Sequence, residues 1–409
     1  MKPQELRALG RLGVQAYCGT VSHIEKAHLG LASLSFGAVP AAGAPLRSAH
    51  DAIAHSAYRA VRGLGALAGS ALAEILPAAG SQQLPLGSSG PSNHLQSALN
   101  AAIGDRLSAE DSPLAIRMAL RSGGRDVPAE REALGGTLDG PAARLAVFLH
   151  GLGETEDSWR LGSGQDGQTY GERLKADFGY ADLYVRYNTG RHVSENGRDL
   201  ARLLGDVVAA WPWPVEEVLL IGHSMGGLVL RSACHYGHEA AADWVPLVRH
   251  VFLLGTPHLG APLARWTHHT ARAAAQRKDT LPFAPLLTTR SAGIDDLRFG
   301  YLVDDDWQGC DRGSCGEDHR HDVPLLPTAN HYTVSATVTR APSSPLGQLV
   351  GDLLVQPASA HGRRHRHQHI PFELEHRHEF GGRHHFHLLN DAGIYEALRS
   401  RLTGQSSST

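Results

Sequence analysis

The chain is predicted to be an α/β protein with a mostly parallel central sheet, preceded by a helical segment. Three observations predict this. From about residue 114 onward, short apolar runs alternate with helical stretches and turn residues, the texture of βαβ units. Residues 1 to about 110 show no strand pattern, and their apolar residues recur at intervals of three and four, the signature of helix. The apolar run EVLLI at 217–221 leads through Gly-His-Ser-Met-Gly-Gly into an apolar-periodic segment, which describes a strand turning sharply into a helix.

In the N-terminal segment, placed at 1–113, Ile53, Ala57, Val61, Leu64, Ala68, Leu72 and Ile75 form one helical series and Leu95, Leu99, Ile103 and Leu107 another. Between them PAAGSQQLPLGSSGPSN, 77–93, reads as a linker. The second domain is placed at 114–409. A hairpin with Gly123-Gly124 at its turn opens it, followed by buried strands at 145–149, 181–187, 217–221, 250–254 and 331–338. Helices are expected at 194–211, with Ser194 as N-cap, from Met225 to about Tyr236, and at the C-terminal end, with His387 on the loop that leads into it. Ile370, Phe372 and Leu374 alternate with polar residues, reading as a solvated hairpin. About 70 residues separate Gly260 from the strand at 331, more than one crossover helix needs. A cap or lid is therefore expected over 261–330, with Leu281, Phe283, Leu286 and Leu287 either lining an apolar pocket or simply packing.

Bulk properties exclude several function classes. The chain has 409 residues and a formal charge of −3, which gives no electrostatic case for nucleic acid or an anionic membrane. Its start is charged and no window approaches the ~20 apolar residues of a spanning helix, so a soluble cytoplasmic protein without a transmembrane segment is expected. Four cysteines are too few for a disulfide framework. Cys18 and Cys234 sit in apolar contexts, and the loop holding Cys310, Cys315, His319 and His321 lacks a strong zinc spacing. Neither a metal nor a cofactor is expected, and the oligomeric state is left open.

A nucleophilic serine needs its oxygen clear of the sheet and its backbone N–H aimed at the attacked carbonyl oxygen, which a sharp strand-to-helix turn provides when its neighbours are small. Gly222, Gly226 and Gly227 around Ser224 supply that smallness. The motif resembles the nucleophile elbow of the α/β-hydrolase fold, lipase and esterase branch, over about residues 114–403. The lipase-like Gly-Thr-Pro-His-Leu-Gly at 255–260 adds to the resemblance.

The resemblance implies an oxyanion hole made by the N–H groups of Met225 and of Leu152, in the His-Gly-Leu-Gly turn after the strand at 145–149. It also implies the order Ser, acid, His, which removes His150 and His192 from the triad. His150 is then a loop brace, and His258 a pocket-wall or structural residue. For the acid, Gly-Asp-Leu-Leu-Val-Gln-Pro-Ala-Ser-Ala resembles the G-D-G-x-V-P-x-x-S-A stretch of related lipases and implies Asp352, with Leu353 where glycine is usual; Asp304, Asp305 and Asp306 compete. For the base, His387 before Leu388 and Leu389 resembles the family's H-x-x-L-L ending, shortened here to His-Leu-Leu, with a register shift to His385 or His384 left open.

The activity implied is hydrolysis of a small-molecule or lipid-like carboxylic ester without a cofactor. The same machinery would serve an acyltransferase or thioesterase. A protein of another class, recruited through its N-terminal helices and with a weak or lost hydrolase, is the third reading.

Overall fold

The computed structural model describes residues 18, 19, 21, 22, 25, 26, 29, 48, 51, 54, 55, 58, 59, 62 and 63, and the stretches 91–137, 140–163, 167–261, 291–309, 318–364 and 368–404. The chain divides into two units: Met1–Ala98 with Trp266–Thr288, and Leu99–Arg265 with Thr289–Thr409. In the first unit, the Glu25 carboxylate holds His55 Nδ1 at 2.6 Å and pairs with Arg62. The helical series from Ile53 to Ile75 falls on residues outside the described set, as does the expected linker up to Gly90. The second series lies on α1, Pro91–Ala109, which contains Leu95, Leu99, Ile103 and Leu107 and is kinked at Ile103, whose backbone leaves the helical region (φ −142°, ψ 22°).

The second unit is built on eight strands: β1 (Ala119–Ser122), β2 (Arg125–Val127), β3 (Arg144–Leu149), β4 (Tyr180–Arg186), β5 (Glu217–His223), β6 (Val248–Leu254), β7 (Asn330–Thr337) and β10 (Arg377–Gly381). The two-residue strands β8 (Arg363–Arg364) and β9 (Gln368–His369) pair apart from them. The main sheet runs β10-β7-β6-β5-β3-β4-β1-β2. Pairs from β10 through β4 are all parallel, and the β1–β2 hairpin adds an antiparallel edge.

The central strands read as unbroken apolar runs because helices cover both faces. Val147 and Leu149 of β3 point into one core cluster with Leu220 and Val251, while Phe148 points into the other with Ile221 and Phe252. Each such fully buried side chain contributes roughly 1.5–3 kcal/mol. The hairpin turns where expected, with φ of 54° at Gly123 and 77° at Gly124; positive φ at both positions is what a type I′ hairpin turn requires.

Four helices matter most to the site: α2 (Tyr170–Phe178), α3 (Val193–Ala210), α4 (Met225–Glu239) and α5 (Ala392–Thr403). Two expectations about element ends need correction. Ser194 does not cap α3: the N-cap is His192, and the first N–H, that of Val193, donates to Asp296 Oδ2 at 2.7 Å, so a carboxylate distant in sequence displaces the local hydroxyl. Ser194 Oγ instead accepts from Trp307 Nε1 at 3.0 Å. The stretch expected as a solvated hairpin buries Phe372, and the residues after it form β10, parallel to β7.

Of the expected cap, 262–290 lies outside the described residues, and Leu281, Phe283, Leu286 and Leu287 with it; Cys310 and Cys315 also lie outside. Among the described residues no helix is long and apolar enough to cross a membrane. Strand β3 pairs with β4 on one side and β5 on the other, so the chain reverses its direction of sheet growth here. The crevice beyond the C-terminal ends of such strands is where open α/β sheets bind ligands.

Candidate active site

Ser224 stands at that crevice, between the end of β5 and the start of α4, with φ 54° and ψ −122°. A non-glycine backbone in this region costs on the order of 1–3 kcal/mol and persists only when its surroundings impose it. The imposing contacts are visible. Ser224 N–H donates to Leu254 O at 2.8 Å, and Gly227 N–H donates to Ser224 O at 3.1 Å. A Cβ at Gly226 would lie 2.5 Å from Leu149 O, and one at Gly222 would lie 2.6 Å from Gly227 N. A Cβ at Gly227 would collide with the Thr256 hydroxyl, so Gly227 is needed for packing against the Gly-Thr-Pro-His turn.

Asp352 is buried after the short helix that follows β7. Its Oδ1 accepts the N–H groups of Leu354 at 3.0 Å and Val355 at 2.8 Å. Leu353, at the position where the resembled lipase stretch has glycine, takes φ 87°. That costs about 1–2 kcal/mol against glycine.

The imidazole brought to Asp352 belongs to His385, whose Nδ1 lies 2.7 Å from Asp352 Oδ2. His385 N–H also donates to Asp352 O at 3.1 Å. His387 is not the partner. Its ring stacks on that of His384 with centroids 3.4 Å apart, and its Nδ1 accepts from His384 N–H at 3.2 Å. The physical reason is the one-turn 3-10 helix His385–Leu388, where residues two apart point in different directions. Counted without shortening, His385-Phe386-His387-Leu388-Leu389 is itself H-x-x-L-L with His385 leading, which is the register shift that the sequence leaves open.

His385 sits at the elbow. Its ring centroid lies 4.6 Å from that of His223, the residue before Ser224. A Cβ at Gly255, next to the Leu254 carbonyl that anchors Ser224, would lie 2.9 Å from His385 Cε1. Its Nε2 is buried with no protein partner among the described residues. Burial alone would lower the pKa of this imidazole, but the Asp352 carboxylate, through its charge and its hydrogen bond, raises it above the usual value, with a further push from Glu154.

In the turn after β3, Gly151 N–H donates to Glu154 Oε2 at 2.8 Å and Gly153 N–H to Thr189 Oγ1 at 3.2 Å. Among the described residues the Leu152 N–H has no acceptor. Met225 heads α4, where N–H groups lack an intrahelical acceptor and the positive end of the helix dipole lies. His150 braces this turn: its Nδ1 lies 3.0 Å from Gly151 O, its ring stacks on Tyr187, and the Tyr187 hydroxyl donates to His150 O at 2.8 Å.

Glu154 also faces His223 Nδ1, at 3.1 Å from Oε1 and 3.2 Å from Oε2. Burial would raise the pKa of this carboxyl, but the His223 ring, by charge and hydrogen bond, and the Gly151 N–H hold it down to about 2.

The other candidates have structural partners. Asp304 pairs with Arg198. Asp306 Oδ1 accepts the His321 N–H at 2.7 Å and faces its Nδ1 at 3.1 Å. His258 is buried, its pKa driven well below the usual value by burial and then by Arg231. Burial pushes Cys234 up to about 12, which leaves it an inert packing group. A cavity of about 710 Å³ opens beside β1, β2 and β4 and is lined by Arg121, Glu156 and Tyr184 among others, with no residue of the elbow.

Residues 147–322 match the family model described as PGAP1-like alpha/beta domain. No curated protein matches the chain. Among solved structures, the mature form of a Bacillus licheniformis lipase is 20% identical over 64% of this chain and 93% of its own, with a TM-score of 0.41. An esterase of the archaeon Pyrobaculum calidifontis is 15% identical over 66% and 75%, with a TM-score of 0.36. A type II thioesterase from a yersiniabactin biosynthetic pathway is 15% identical over 65% and 92%, with a TM-score of 0.32. The strand order and the strained strand-to-helix serine give the chain an α/β-hydrolase fold, and the stretch that matches the PGAP1-like alpha/beta domain lies within it.

Proposed function

We propose that the protein is a serine hydrolase of carboxylic esters. The observation that carries this reading is the buried Asp352–His385 pair, 2.7 Å apart, delivered to the elbow of a backbone-strained Ser224. His385 Nε2 takes the Ser224 hydroxyl proton as Oγ bonds to the ester carbonyl carbon. The negative charge on the carbonyl oxygen is held by the N–H groups of Leu152 and Met225, each such donor being worth about 2.7–4 kcal/mol in comparable sites. Collapse expels the alcohol, protonated by His385, and leaves an acyl-enzyme. Water, deprotonated by the same ring, then releases the acid and restores the serine. Asp352 keeps the proton on Nδ1 and steadies the transient imidazolium without becoming protonated.

The test is covalent labelling. A fluorophosphonate probe is expected to modify Ser224, located by peptide mass, and Ser224→Ala is expected to lose both labelling and hydrolysis of short p-nitrophenyl esters. Full activity in that variant would sink the reading. Transfer of the acyl group to an alcohol, amine or thiol uses the same groups, and product masses with and without an acceptor alcohol separate it from hydrolysis.

A further inference from the structure

We propose that Glu154 and His223 act as one positioning couple, tying the oxyanion turn to the loop of the triad histidine; this role rests on the ester-hydrolase reading. His223 is fully buried and bridges two segments far apart in sequence. On one side its Nδ1 meets the Glu154 carboxylate, whose Oε2 also receives the Gly151 N–H immediately before Leu152. On the other side its Nε2 lies 3.3 Å from the main-chain carbonyl oxygen of His385. A single ring thus touches the loop that carries the base and, through Glu154, the turn that carries an oxyanion donor.

A carboxylate and a main-chain carbonyl oxygen are both acceptors, so the His223 ring faces an acceptor on each side. In this role each side chain acts through another residue. A displacement of about 1 Å at either loop is enough to cost on the order of 100-fold in rate.

The experiment is a double-mutant cycle on kcat with p-nitrophenyl acetate, using Glu154→Ala, His223→Ala and the double variant, with thermal melts and fluorophosphonate labelling alongside. The expected result is a 10- to 100-fold loss of kcat in each single variant with KM within about threefold, and a double variant no worse than the poorer single, because a couple can be broken only once. Glu154→Gln and His223→Gln, which keep a hydrogen-bonding group on each side, are expected to recover part of the loss. Where an alanine variant shows no cooperative melt, the cycle is run with the glutamine variants.

Unchanged kcat, additive losses, or an effect confined to melting temperature overturns the role. Wild-type protein that turns over and labels while the variants match it sinks the couple alone. Wild-type protein that neither labels nor hydrolyses sinks the hydrolase reading, and this role with it.

Discussion

Two carboxylate–imidazole pairs, the first fully and the second largely buried, lie next to each other at the C-terminal edge of the sheet, Asp352–His385 and Glu154–His223, with ring centroids 4.6 Å apart. In both, Nδ1 faces a carboxylate. They differ at Nε2: that of His223 meets a main-chain carbonyl oxygen, while that of His385 has no protein partner among the described residues. A third pair, His192–Asp296, is committed further still, since Asp296 also receives the Val193 N–H and the His192 ring stacks on Trp307 with centroids 3.8 Å apart. A carboxylate beside a histidine does not make a proton carrier. The opposite ring nitrogen must also remain open to a reacting atom.

The largest expected effect tests that difference directly. His385→Ala should lower kcat by about 10⁴- to 10⁶-fold, whereas His387→Ala should stay within about threefold, both read on p-nitrophenyl acetate. Comparable losses in the two variants would break the comparison. Next, Asp352→Asn should cost on the order of 10⁴-fold, because its amide leaves the proton on the wrong ring nitrogen.

Acid dependence sharpens the same point. The base works only when neutral, and Asp352 raises the pKa of His385 against the downward pull of burial. Wild-type kcat/KM should therefore climb with pH through a midpoint above the ordinary histidine value. In Asp352→Asn only burial remains of the two main influences, so the residual activity should climb at lower pH. A midpoint that stays put would show that Asp352 does not set it.

The smallest effect concerns stability. Leu353→Gly relieves a left-handed leucine and should raise the unfolding free energy by about 1 kcal/mol with little change in kcat, as read by denaturant melts.

How far the sequence reached varied with the kind of feature. The strands at the sheet centre were legible because burial on both faces demands continuous apolar runs, and Phe148, Ile221 and Phe252 are such residues. The last strand was not, because Arg377–Gly381 is an edge strand, half-buried and polar, and its pattern resembles a solvated turn. The elbow could be read locally, since Gly222, Gly226 and Ser224 are neighbours in the chain and their constraint is steric. The cap of α3 could not, because Asp296 reaches Val193 from 103 residues away.

By itself the sequence determined the parallel sheet and the turn that strains Ser224, consequences of apolar periodicity and of room left by small residues, whereas Asp352 was implied only by a resemblance to a lipase stretch. Only the tertiary structure decided which imidazole meets that carboxylate, and that a second carboxylate and a second imidazole stand beside the first pair. The reason is directional. Composition and spacing place five histidines, at 376, 378, 384, 385 and 387, within twelve residues of one another, but the aim of a ring is fixed by a 3-10 turn and by the burial of Leu388 and Leu389, and that geometry exists only once the chain has packed.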